Sequence, residues 1–117
     1  MNRRRAERAG RAAETACAWL LRLKGYWVLA RRYRSAVGEL DIVARRGALV
    51  AVVEVKARRD YAAAVEAVDS RQRARIARAT EMLLAENAAL ARLAVRFDVM
   101  VVLPWRPPVH LEDAWRR

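Results

Sequence analysis

The stretch LVAVVEVKARR, residues 49–59, carries an apolar run directly into a pair of charges. Its first five residues have the composition of a buried strand, and Glu54 and Lys56 follow without a break. Because residues two apart in a strand project from the same face, these two side chains stand side by side. A carboxylate and an ammonium there are costly unless each has a partner. The pair is either a cross-strand ion pair at a sheet edge or part of a functional site.

The preceding strand candidate reads GELDIVA, residues 38–44, and it places further acids on one face. A two-residue Arg46-Gly47 turn would join it to the next strand and pair Asp41 with Val52. A longer loop or a bulge would shift this register. With the short turn, the charged side chains on one face of the hairpin are Glu39, Asp41, Glu54 and Lys56.

Three carboxylates on strands this apolar should repel one another, by up to about 1 kcal/mol per directly opposed pair. Either one acid is neutral because its pKa is raised, or a cation lies between them. Mg²⁺ is typically held by one or two carboxylates together with water and substrate phosphate. We therefore expect an open Mg²⁺ or Mn²⁺ site. The alternatives are that Asp41 caps a loop at a strand end and that Glu39 is a solvated partner of an arginine.

The choice of lysine at position 56 favours chemistry over simple charge. Lys24 and Lys56 are the only lysines among 24 basic residues. Lysine is a compact point charge with a shiftable pKa, whereas arginine is a wide planar fork. An ammonium therefore suits a position beside an attacking water or a developing negative charge.

Bulk properties indicate one domain, residues 1–117, with a net charge of +11 and a single cysteine. The charge favours a polyanionic partner, nucleic acid above all, although it would also suit a well-solvated surface. The apolar part of the basic N-terminus is too short and too interrupted for a signal peptide or a membrane span. We expect a cytoplasmic protein that does not bind membranes.

The element pattern predicts an α/β protein with a mixed sheet flanked by helices, in the order α-β-β-β-α-β. The segments are a helix over residues 5–24, strands over 26–33, 39–45 and 48–57, a helix from Asp69 or Ser70 to Asn87, and a strand over 93–103. Residues 1–5 form a short basic arm, and residues 104–117 form a tail rich in proline and tryptophan.

Six short motifs follow one another along the chain: GRAAE (10–14), KGY (24–26), RYR (32–34), GELDIVA (38–44), VEVKAR (53–58) and RFDV (96–99). In this order they resemble the motifs of the YraN family, which consists of small bacterial proteins assigned to the restriction-endonuclease-like nucleases and similar in layout to archaeal Holliday-junction resolvases. The resemblance covers roughly residues 10–103. It implies a restriction-endonuclease-like core. Arg32 and Arg71 depart from the pattern, which expects asparagine and lysine there.

The resemblance also implies roles for individual residues. Asp41, Glu54 and the backbone carbonyl of Val55 would hold the metal, and Lys56 would position or activate the attacking water. Glu14 would be an extra acid at the site. Gln72 would support it from the second helix.

Each of these roles has a structural alternative. Glu14 would otherwise pair with an arginine one helical turn away, and Gln72 would otherwise be a buried residue at a helix start. Four arginines are candidates for phosphate contacts, with a solvated surface as the alternative. They are Arg58, Arg71, Arg75 and Arg78.

These observations predict a metal-dependent endonuclease acting on DNA, with branched or damaged DNA as candidate substrates. The first alternative is a non-catalytic nucleic-acid-binding module of the same fold. The second is a structural partner in a larger DNA-processing complex. A homodimer would suit a two-fold symmetric DNA junction.

Overall fold

The computed structural model describes residues 3–116. Within them the elements follow one another as α1 (Arg3–Leu23), β1 (Trp27–Ser35), β2 (Gly38–Arg46), β3 (Leu49–Ala57), α2 (Tyr61–Glu66), α3 (Ser70–Glu86), α4 (Ala88–Ala91), β4 (Ala94–Val102) and β5 (Val109–Trp115).

The five strands form one mixed sheet in the order β1-β2-β3-β4-β5. The β3–β4 pair is parallel, and the other neighbours are antiparallel. The helices α2, α3 and α4 lie in the connection between the two parallel strands, as such a crossover requires. The predicted α/β class, with a mixed sheet flanked by helices, is confirmed.

Each face of the sheet carries its own core. On one face, Cys17 and Leu21 of α1 pack against β2, β3 and β4 with Ile42 and Met100. On the other face, Ile76 and Leu83 of α3 pack against apolar residues of the same strands. The central strand β3 is covered on both sides, and this explains its nearly continuous Val and Ala composition.

The predicted helix ends are close to those observed. Gly25 follows α1 with φ +91°, a left-handed conformation that glycine adopts without strain. Asp69 caps α3 because its side chain accepts a hydrogen bond from the backbone N–H of Gln72.

The predicted register of the β2–β3 hairpin is wrong by two residues. Arg46 pairs with Leu49, so the connecting residues are 47 and 48 rather than 46 and 47. The turn moves by one residue because Gly47, with φ +61°, supplies a left-handed position inside it. A shift of two residues by itself leaves the faces of the paired residues unchanged. The alternation of β2 is nevertheless broken at Asp41, because Leu40 packs in the α3-side core and Ile42 in the α1-side core, so strand period alone does not place Glu39 and Asp41 on one face.

Three elements were missed by the sequence prediction: α2, α4 and β5. The predicted tail, residues 104–117, contains β5, which pairs antiparallel with β4. Trp115 is buried there, and its ring stacks on Phe97 at 4.1 Å between centroids. Of the predicted basic arm, residues 3–5 belong to α1, and residues 1–2 lie outside the described part.

A buried carboxylate joins β4 to β5. Asp98 is 1% exposed and accepts hydrogen bonds from Arg96 at 2.8 and 2.7 Å, from His110 at 2.7 Å and from the Asp113 amide at 3.0 Å. Burial alone would raise the pKa of Asp98, but the hydrogen bonds it accepts outweigh burial and lower that pKa to about 2.

The length and apolarity of the helices bear on whether any of them could cross a membrane. Over residues 3–116, none of them combines the length and apolarity that crossing a bilayer requires.

Candidate functional site

The site begins where β2 and β3 stop pairing. The β2–β3 ladder ends at Ile42 opposite Val53, and Asp41 and Glu54 are the next residues on the two strands. Oδ2 of Asp41 accepts a hydrogen bond of 2.8 Å from the backbone N–H of Val55. A side chain thus contacts the neighbouring strand beyond the end of the ladder, and this bond fixes the Asp41 carboxylate.

Glu54 is 6% exposed and is held by two donors. Its Oε1 accepts a 2.8 Å hydrogen bond from Nε2 of Gln72 and lies 3.5 Å from Nζ of Lys56. Because β3 is the central strand, this ion pair does not lie at a sheet edge. The structure therefore brings Glu54, Lys56 and Gln72 together, as the sequence predicts.

The two acids interact strongly. Burial is the largest cause, followed by repulsion from Asp41, and both raise the pKa of Glu54 to about 8. The ammonium of Lys56 acts in the opposite direction. Asp41 and Glu54 also line the same cleft, so they do not lie on opposite sides of the sheet.

Glu39 does not join this cluster. Its side chain is 45% exposed, and its Oε2 lies 4.0 Å from Nε of Arg34 on the neighbouring strand. This position agrees with the alternative prediction for Glu39, a solvent-exposed glutamate that pairs with a nearby arginine. Among the described side chains, those of residues 3–5 and 8–116, no three His, Cys, Asp or Glu side chains form a ready-made metal-binding group.

Glu14 is buried, and its carboxylate forms ion pairs with two arginines of strand β1 and not with the described arginines of its own helix. Nε of Arg31 donates to Oε1 at 2.9 Å, and Nε of Arg32 donates to Oε2 at 3.1 Å. The alternative of a pair one helical turn away is therefore wrong, because the partners come from β1. Arg32 has φ +53°, which turns two consecutive arginines towards the same carboxylate.

Two clefts meet at this site. One, of about 620 Å³, lies beside α1 and includes Glu14 and Val55. The other, of about 540 Å³, lies beside α3 and includes Glu54 and Gln72. Both are lined by Glu39 and Asp41. The arginines that line them are Arg11, Arg32, Arg34, Arg58, Arg71 and Arg75.

Three of the four arginines predicted to contact phosphates lie at the clefts. Arg58, Arg71 and Arg75 line the clefts, whereas Arg78 is exposed on α3 away from both. Sequence reasoning missed the contribution of Arg11, three residues before Glu14 on α1. The helical spacing of these two residues was the available signal.

Residues 13–102 match the family described as "Uncharacterised protein family UPF0102". This chain belongs to family UPF0102. The family resemblance drawn from the motifs is confirmed at this level.

Relatives within UPF0102 are similar over nearly the whole chain. A UPF0102 protein of Parvibaculum lavamentivorans is 52% identical over 111 residues, covering 95% of this chain and 84% of the relative. The UPF0102 protein mlr4633 of Mesorhizobium japonicum is 48% identical over 114 residues, covering 97% and 91%. The protein amb4503 of Paramagnetospirillum magneticum is 50% identical over 115 residues, covering 95% and 89%.

Proposed function

We propose that this UPF0102 protein is a Mg²⁺- or Mn²⁺-dependent endonuclease that hydrolyses DNA phosphodiester bonds, with branched or damaged DNA as its substrate class. The observation that carries the proposal is the meeting of Asp41 and Glu54 beside Lys56, between two arginine-lined clefts. Two acids that repel each other in a buried site lower the stability of the fold, so their presence beside a lysine and several arginines favours a role in phosphodiester chemistry over a structural role.

The donor set fits a hard divalent cation. Two carboxylates that repel each other gain from a cation placed between them, and Mg²⁺ usually takes only one or two carboxylates, with the rest of its shell from water and substrate. Asp41 and Glu54 would hold the ion, together with the Val55 carbonyl. When bound, the ion would supply polarisation of the scissile phosphate and a more acidic water.

The protein's own residues would then orient the reactants. Gln72 fixes Glu54 through its 2.8 Å hydrogen bond. The ammonium of Lys56 would stabilise negative charge as water attacks in line with the leaving oxygen. The arginines of the two clefts would bind phosphates on either side of the cleaved bond, with an affinity that falls steeply with salt.

The order of α1, the meander β1–β3, a crossover through α3 and the parallel strand β4 supports the proposal of a restriction-endonuclease-like core. The acids lie on the two neighbouring strands that such a core would use. The nuclease-superfamily assignment is part of this proposal.

The test is cleavage of labelled duplex, flapped, four-way-junction and abasic DNA with Mg²⁺ or Mn²⁺. We expect Asp41→Asn, Glu54→Gln and Lys56→Met each to lose about a hundredfold or more in rate while retaining DNA affinity. Arg78→Gln, outside both clefts, is the control for loss of a surface charge and should cleave normally, whereas loss of cleavage in identically purified Asp41→Asn excludes a contaminating nuclease. A wild type that cleaves none of these substrates with either metal would refute the proposal.

The second candidate is a non-catalytic nucleic-acid-binding module. The observation that favours it is the net charge of +11, since binding needs the arginines and not the acids. It is the correct conclusion if wild type binds DNA, cleaves nothing, and keeps its affinity when Asp41 or Glu54 is neutralised.

A further inference from the structure

A second basic surface runs along α1 and β1 and starts at the cleft that contains Asp41. Four polar or aromatic residues follow Arg8 on α1 at steps of three or four, so that they lie in one stripe. They are Arg11, Thr15, Trp19 and Arg22. The stripe starts in the cleft, because Arg11 lines it together with Asp41.

Arg31 extends this stripe from the strand side. Its Nη2 donates to Oγ1 of Thr15 at 2.7 Å, and its Nε donates to Glu14. The guanidinium therefore lies against the middle of the helix stripe, while 35% of its side chain stays exposed. Arg11, Arg31 and Arg22 form a positive path, which we call the α1–β1 track.

The α1–β1 track ends at a hollow of about 440 Å³ lined by Arg22, Gly25, Tyr26, Trp27 and Val28. We call it the tryptophan hollow. Trp27 lines it and is 76% exposed, and Trp19, which is 60% exposed, contacts the lining residue Arg22. The guanidinium of Arg22 lies 5.2 Å from the Trp19 ring centroid.

Another arginine contacts Tyr26, which lines the tryptophan hollow. The guanidinium of Arg46 stacks 4.4 Å from the centroid of the Tyr26 ring and donates to the Lys24 carbonyl at 3.3 Å. Exposed tryptophans among arginines offer both components that unpaired nucleotides need, a flat surface for the base and a cation for the phosphate.

We propose that the α1–β1 track and the tryptophan hollow bind a single-stranded segment of nucleic acid that continues from the cleft at Asp41. This inference rests on the proposed function and narrows its substrate to DNA with an unpaired branch or end. Arg11 and Arg22 are eleven residues apart on one helix, or roughly 16 Å. At the duplex rise of about 3.4 Å per nucleotide, roughly five nucleotides would cover this distance, and an extended single strand needs fewer.

Charge favours nucleic acid over the other occupants of an exposed aromatic surface. A second copy of the chain would bring two arginine tracks together, at +11 on each partner. An anionic lipid surface would use the tryptophans, but it would not explain why the track is continuous with the cleft.

The experiment measures anisotropy of labelled oligo(dT), of the same oligonucleotide with abasic sites, and of a duplex, all in EDTA. Wild type should bind oligo(dT) about a hundredfold more tightly than the abasic strand, a factor of about ten for each tryptophan. In Trp19→Ala/Trp27→Ala this preference should disappear, with roughly a tenfold loss for oligo(dT) per tryptophan and an unchanged abasic affinity.

Trp105→Ala is the matched control, because Trp105 is fully exposed in the β4–β5 connection, outside the tryptophan hollow. It should bind oligo(dT) as wild type does. The double variant Trp19→Phe/Trp27→Phe keeps aromatic surfaces and should retain most of the preference. Unchanged melting temperatures would show that these variants are folded.

Oligo(dT) binding by Trp19→Ala/Trp27→Ala that equals wild type would overturn the inference. If that variant instead loses self-association in sedimentation, or loses binding to phosphatidylserine vesicles, while its oligo(dT) affinity is unchanged, the hollow serves a second copy or a membrane. A failure of the endonuclease proposal is distinguishable, because the stacking assay needs no metal and no cleavage.

Discussion

Neutralising Asp98 should destabilise the protein in a way that depends on pH. Its carboxylate lies between β4 and β5, is 1% exposed and accepts four hydrogen bonds, including a bidentate pair from Arg96. Asp98→Asn removes the charge and turns one acceptor into a donor that faces other donors. The neighbours Arg96 and His110 are then left without their anion.

The magnitude follows from the pKa. Asp98 has a pKa of about 2 in the folded protein against an ordinary 3.8. At 1.36 kcal/mol per unit, this difference stabilises the fold by about 2 kcal/mol. A folded-state pKa that is lowered gives stability that is present above about pH 4 and is lost as the pH falls through about 2. The unpaired partners add to the cost, so the total should reach about 3–5 kcal/mol at neutral pH.

The assay is urea unfolding of wild type and Asp98→Asn at several pH values. The difference in unfolding free energy should be largest at pH 5–7 and should shrink between pH 4 and 2, as wild-type Asp98 is protonated. Arg116→Gln is a suitable control, since its partner Asp113 is exposed and the pair contributes little. A difference below about 0.5 kcal/mol at pH 7, or one that stays constant to pH 2, would refute this account of the network.

Three further outcomes concern the candidate site. In metal-free buffer, Glu54→Gln should become more stable relative to wild type as the pH rises from about 4.5 to 8. Burial and Asp41 raise the pKa of Glu54 to about 8 in the folded protein, so ionisation of this residue favours the unfolded wild-type chain over that range. Melting temperatures of both proteins at pH 5 and pH 8 test this. Gln72→Ala should lower the cleavage rate about tenfold with DNA affinity unchanged, since only the orientation of Glu54 is lost; equal rates would contradict that role. Glu14→Gln should cost about 1–3 kcal/mol in urea unfolding because two arginines lose a buried anion, and an unaffected stability would mean that they re-pair with solvent.

Much of the fold could be predicted because local periodicity carries it. The stripe of α1, the capping aspartate of α3 and the apolar strand before Glu54 are all visible in the chain, and each is observed. The β5 strand was missed because three prolines precede it and its residues do not alternate cleanly between buried and exposed. Its place depends on Trp115 stacking on Phe97, a contact between distant residues.

The site divides in the same way. Glu54 and Lys56 are two apart in one strand, so the sequence by itself determined that they stand together. For Asp41 the strand period was not sufficient, because Leu40 and Ile42 on either side of it pack on opposite faces of the sheet. The position of its carboxylate follows instead from the hydrogen bond with the Val55 amide.

Only the tertiary structure decided which distant side chains meet. Gln72 reaches Glu54 from 18 residues away, and Glu14 is occupied by β1 arginines rather than by its helical neighbours. The tertiary structure also places the Glu39 carboxylate near Arg34, outside the cluster formed by Glu54, Lys56 and Gln72. The physical reason is that strand and helix periods specify directions within one element, whereas a contact between elements depends on how the helices pack on the sheet and on where a ladder ends.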